Sequence, residues 1–209
     1  NLRIQINTCF DDFNVNQIKQ IINYCKTHLE YDQQLFYLIR EAGKLITKGN
    51  NHLIPKFIDT LLANEEREWR DNRKTIWHRV VRVLQGLTYK DLVEIKLNEK
   101  FIRPCFATEK FVTLYDDGAV SPCEVLEDRV KLGNIKDYDY DFYKLQKLTK
   151  MKDFYSKEIV EGKCNCEWQC ALPMNMLYDP SVYFRILKGL TFPSKIVQSV
   201  SQEVYGETK

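Results

Sequence analysis

Residues 114–123 read Leu-Tyr-Asp-Asp-Gly-Ala-Val-Ser-Pro-Cys. Phe111 to Tyr115 has the composition of a strand, Asp116-Asp117-Gly118 is a strong turn signal, and Ala119 to Pro122 returns, so the stretch predicts a β-hairpin. Cys105 precedes the hairpin and Cys123 closes it, in the spacing C-x12-G-x4-C. A chain folded back at Gly118 can bring both thiols within reach of one metal centre. Downstream, Leu132-Gly133-Asn134-Ile135 predicts another turn, and Leu145, Leu148 and Met151 give 143–155 the apolar stripe of an amphipathic helix. Cys164, Cys166 and Cys170 then follow as C-x-C-x3-C. Thiols this dense restrict packing unless a metal takes up the thiolates, and all-thiolate sets select zinc or an iron–sulfur cluster.

Five of the seven cysteines thus fall between 105 and 170, while Cys9 and Cys25 stand alone, and the chain divides near residue 100. An odd number of cysteines without a secretion signal argues against a disulfide framework and points to a cytoplasmic protein. Zinc sites favour C-x2-4-C pairs, which neither C-x-C nor the isolated Cys105 and Cys123 reproduce. Five thiols also exceed the four that a zinc ion or one cluster needs, which leaves one to spare.

Upstream, the alternation Leu-Arg-Ile-Gln-Ile-Asn predicts a short strand over 2–7, and Asn14 with Gln17 resembles a capping box. The helix it opens carries Ile18, Ile21, Ile22, Cys25 and Leu29 at helical spacing, with Cys25 read as a buried structural thiol. Leu35 to Ile39 is a continuous apolar run, as expected for a strand covered on both faces. The unit is strand, helix, strand, a right-handed crossover between parallel strands. On these boundaries Asn7 and Thr8 follow the first strand and Arg40 the second, where α/β folds place ligand contacts. Pro55 opens a helical region to about Leu84, with Trp69, Ile76, Trp77, Val80, Val81 and Leu84 on one face and the charges of Glu65, Glu66, Arg67, Arg70 and Arg73 outside. His28, His52 and His78 have no partner at ligand spacing.

Composition removes several function classes. The 209 residues are 44% apolar and 29% charged, a globular mixture with no run long enough for a membrane span. The formal net charge is only +2, so no basic field recommends a nucleic acid or an anionic membrane as partner. The opening NLRIQINTCF has neither an initiator Met nor the pattern of a signal peptide, and predicts a piece of a longer chain.

With C-x12-G-x4-C, LYDDGAVSPC, Leu132-Gly133-Asn134-Ile135 and the terminal cysteine group together, the chain resembles the C-terminal cluster-binding SPASM domain of radical S-adenosylmethionine enzymes, or its shorter twitch relative. The resemblance covers roughly 101–172. Residues 1–40 look like the late strand–helix–strand units of the partial (β/α) barrel that precedes this domain in the family, and 55–90 like bridging helices. The implied organisation is 1–100 as barrel end and bridging helices, 101–172 as a small cysteine-rich α+β domain, and 173–209 as a C-terminal helix and tail.

By that resemblance, Cys105 and Cys123 would be ligands of an auxiliary [4Fe–4S] cluster, with two more from the terminal group. Cys166 and Cys170 match the family's closing C-x3-C, and Cys164 is shifted relative to it. A full SPASM domain has C-x2-C-x5-C-x3-C and a later cysteine, enough for two clusters; the shorter set here implies one, shielded by Phe106, Trp168 and Leu172. Asn7, Thr8 and Arg40 would lie near the cofactor at the open barrel end. The C-x3-C-x2-C motif of the S-adenosylmethionine-binding cluster does not occur in this sequence, so the resemblance implies that these residues alone do not cleave S-adenosylmethionine. The substrate could be a peptide, a protein or a small molecule.

At the end of the chain, Asp179-Pro180 predicts a capped helix through Val182, Ile186 and Leu187 that Gly189 ends, and Met174 and Met176 read as gap-filling side chains. The rival to the oxidoreductase reading is a non-enzymatic zinc-binding interaction module. A cysteine-nucleophile enzyme built on Cys9 lacks a well-placed His or acid.

Overall fold

The computed structural model describes residues 2, 4–40, 49–69, 76–99, 102–126, 130–147, 153–161, 164, 166–191, 202 and 205. The protein is mixed α/β with two small sheets. It packs as two compact units, Asn1–Arg40 with Thr47–Val93 and Arg185–Lys209, and Glu41–Ile46 with Glu94–Phe184.

In the first unit β1 (Gln5–Phe10) and β2 (Gln33–Leu38) pair in parallel, Gln5 opposite Gln33 and Phe10 opposite Leu38, with α1 (Ile18–His28) between them in sequence. Both strands start earlier or end later than the apolar pattern predicts. The alternation continues past Asn7: Thr8 and Phe10 are buried, whereas Leu2 is 87% exposed. Gln34, just outside the predicted strand of Leu35 to Ile39, is buried in β2 with its Nε2 donating to Thr8 Oγ1 at 2.8 Å. The predicted cap at Asn14 has a different role. Asp11 and Asn14 exchange hydrogen bonds, each side-chain oxygen accepting the other's backbone N–H, and Asn14 Nδ2 donates to the Cys9 carbonyl. This closes a turn, and α1 begins at Ile18.

α2 (Ile54–Trp69) and α3 (Ile76–Asn98) follow. Phe57 of α2 meets Phe10 edge-on at 5.4 Å and Tyr89 of α3 at 5.6 Å, a T-shaped geometry suited to aromatic quadrupoles. The Phe36 N–H donates to the Tyr89 hydroxyl at 3.1 Å, which occupies part of the outer edge of β2. The helical region extends well past Leu84 because Leu87, Leu92, Val93 and Ile95 continue the buried stripe. Ile76 and Trp77, read as part of that stripe, are exposed at the first turn of α3. Cys25 is buried on α1 as its spacing predicts. Residues 70–75 and the side chains of 65–69 and His78 lie outside the described residues.

In the second unit β3 (Thr113–Leu114) and β4 (Ala119–Ser121) form the predicted hairpin, antiparallel, with Leu114 opposite Val120. Leu132-Gly133-Asn134-Ile135, read as a turn, supplies the third strand β5 (Gly133–Asn134), paired to β4. Turn and strand interlock at Gly118: it lies at φ +89°, its carbonyl accepts the Ile135 N–H at 2.8 Å, and a Cβ there would stand 2.6 Å from Asn134 Oδ1. Only glycine meets both conditions without strain. Val120, Leu132, Ile135 and Leu145 form the core beneath.

α4 (Phe142–Gln146), capped by Asp141, covers the start of the predicted 143–155 helix. Residues 148–152, with Leu148 and Met151, lie outside the described set. A π-helical segment, Tyr155–Glu161, leads to Cys164. α5 (Ala171–Leu177) and α6 (Pro180–Thr191) follow, and α6 runs through Gly189. Met176 is fully buried, in keeping with a packing role. No described helix is long and apolar enough to cross a membrane.

Candidate metal centre

The hairpin and the run into α5 bring thiols together in the core of the second unit. Cys123 and Cys164 are buried in one cluster with Ala107, Leu126, Phe154 and Ile159, and Cys105, Phe111 and Trp168 pack against it. Cys166 joins them electrostatically. Burial pushes its thiol well above the ordinary value, and the neighbouring Cys164, then Cys105 and Cys123, push it further. Cys105 is pushed up to about 11, by burial first and by Cys123 second. Cys166 thus lies within electrostatic reach of Cys164, Cys105 and Cys123, and Cys105 within reach of Cys123, thiols drawn from two distant segments. Cys170, which the resemblance pairs with Cys166, is exposed at the N-terminal end of α5.

Local backbone geometry aims the thiols. After Cys105 the chain turns tightly, with Thr108 at φ +71° and the Lys110 N–H bonded to the Phe106 carbonyl at 2.8 Å. That turn lets the Ala107 N–H donate to the Cys105 sulfur, and the Trp168 N–H donates to the Cys166 sulfur in the same two-residue relation. Both bonds favour the thiolate form. Cys164 is held by its N–H on the Ile159 carbonyl at 3.1 Å, at the end of the π-helical segment.

Three contacts fix the segment around Cys105 against α5 and the residues that follow it. Arg103 Nη1 pairs with Asp179 Oδ2 at 2.8 Å, the Phe106 N–H donates to Asn175 Oδ1 at 3.0 Å, and the Phe106 and Tyr178 rings lie 5.7 Å apart. Burial raises the Asp179 carboxyl, but the hydrogen bonds from Ser181 and the Arg103 guanidinium outweigh it and leave it below its ordinary value. On the other side of the cysteine group, Glu167 is buried against Lys96 of α3 at 2.6 Å, both side chains sealed from water. Sequence reading passes over Glu167, Lys96 and Asn175; a glutamate wedged between Cys166 and Trp168 is the one local signal for them.

The donor set suits a thiophilic metal. Buried thiolates are costly without a cation, and a bound cation inverts that balance and deprotonates them. Phe111 and Trp168, with ring centroids 6.4 Å apart, pack against the buried thiols and would supply apolar surroundings to a metal held there, while Leu172 is buried but is not part of that cluster. Phe106, expected in that shell, stacks toward Tyr178. Among the described residues no group of three or more His, Cys, Asp or Glu side chains is placed so that it could hold a metal ion.

The other predicted site residues lie in the first unit and do not share one surface. Asn7 and Thr8 sit within β1, on opposite faces: Asn7 is exposed and accepts from Gln5 Nε2 at 2.6 Å, while Thr8 is buried against Gln34. Arg40 follows β2, half-buried. Cys9 lies on the exposed face with Asn7. Compared with protein-family models, with curated proteins and with solved structures, the chain matches none.

Proposed function

We propose that these residues form the C-terminal part of a radical S-adenosylmethionine oxidoreductase of the SPASM or twitch type, and that Cys105, Cys123, Cys164 and Cys166 hold its one auxiliary [4Fe–4S] cluster. The observation that carries the reading is the burial of Cys123 and Cys164 in one cluster with Cys105 packed against it, beside a Cys166 whose charge all three disfavour. The backbone bonds from Ala107 and Trp168 would favour the thiolate forms of Cys105 and Cys166 that a cluster needs. When bound, such a cluster supplies one-electron transfer or an open iron for substrate. The chain's own contribution is the thiolate cage, the apolar shell of Phe111 and Trp168, and the clamps that hold the two segments in register. Cys170 is the spare thiol, and Thr8 belongs to the scaffold. Asn7 and Arg40 are the candidates for contact with S-adenosylmethionine, whose binding also needs the C-x3-C-x2-C motif that this sequence does not contain.

Anaerobic reconstitution with iron and sulfide tests the reading. Brown protein with about four iron and four sulfide per chain is the expected result. One colourless zinc per chain, indifferent to iron and sulfide, would instead establish the interaction module.

A further inference from the structure

We draw no further inference here: the strongest candidate, the exposed apolar stripe that Tyr183, Phe184 and Leu187 form along α6, carries none because nothing in the structure shows what covers it.

Discussion

Glu167 separates Cys166 from Trp168, and its carboxylate is enclosed with the Lys96 ammonium at 2.6 Å. Two charges taken out of water barely repay their desolvation as a pair, but either one left alone is a large penalty. Lys96→Met or Glu167→Gln is therefore expected to lower unfolding free energy by about 3–5 kcal/mol, read by urea denaturation, and the paired apolar variant Lys96→Met, Glu167→Leu to recover most of it. Equal losses in single and paired variants would show that packing, and not charge, holds the loop to α3. Asp179 adds a pH dependence. Its carboxyl is held below the ordinary value in the folded state, so its contribution is complete above that value and lost as pH falls through the lowered one. Asp179→Asn keeps a helix cap and removes the ion pair with Arg103. It should cost about 1–3 kcal/mol at neutral pH, and the difference from the parent should shrink in acid; a pH-independent difference would assign the effect to the cap.

At the scale of elements, the hairpin was legible because Asp116-Asp117-Gly118 is local turn chemistry, whereas β5 was not. Gly133-Asn134 becomes a strand only because the Leu132 N–H finds the Val120 carbonyl at 2.9 Å, a contact no local pattern announces. The same holds for β1 and β2. Polar Thr8 and Gln34 hid the true strand limits, since each is buried by virtue of the other. The thiol group shows the division again: hairpin spacing can bring Cys105 and Cys123 together, whereas the burial of Cys164 in one cluster with Cys123 is a long-range contact that no spacing announces. Gly118 ties hairpin to centre. Gly118→Ala meets both a left-handed φ and the Asn134 oxygen, and is expected to destabilise by about 1–3 kcal/mol. If the proposed thiol set holds a cluster, iron loading should fall as well; full stability in thermal melts would contradict this account of the turn.

Over the whole molecule, strand and helix periodicity made the mixed α/β class legible, while the second unit's long-range clamps came from contacts spanning dozens of residues. Arg103 with Asp179 and Lys96 with Glu167 are of this kind. So is Tyr205 in the first unit, whose hydroxyl reaches Asp59 and the Pro55 carbonyl. Burial, then the Asp59 bond and charge, push that phenol up to about 12. A raised tyrosine value means the fold favours the neutral form, so this contact supports stability up to the ordinary range and is lost as pH rises toward 12. Spectroscopic titration should show one late tyrosine that is missing in Tyr205→Phe; an unchanged titration would remove the contact from the account.

The most direct test of the central claim is iron and acid-labile sulfide content after anaerobic reconstitution of the parent chain and five single Cys→Ser variants. The parent and Cys170→Ser should hold about four iron and four sulfide, while serine at 105, 123, 164 or 166 should abolish or strongly reduce loading in chains that still fold. Full loading of the Cys164→Ser chain, or loss confined to Cys170→Ser, would contradict the assignment of the four thiols.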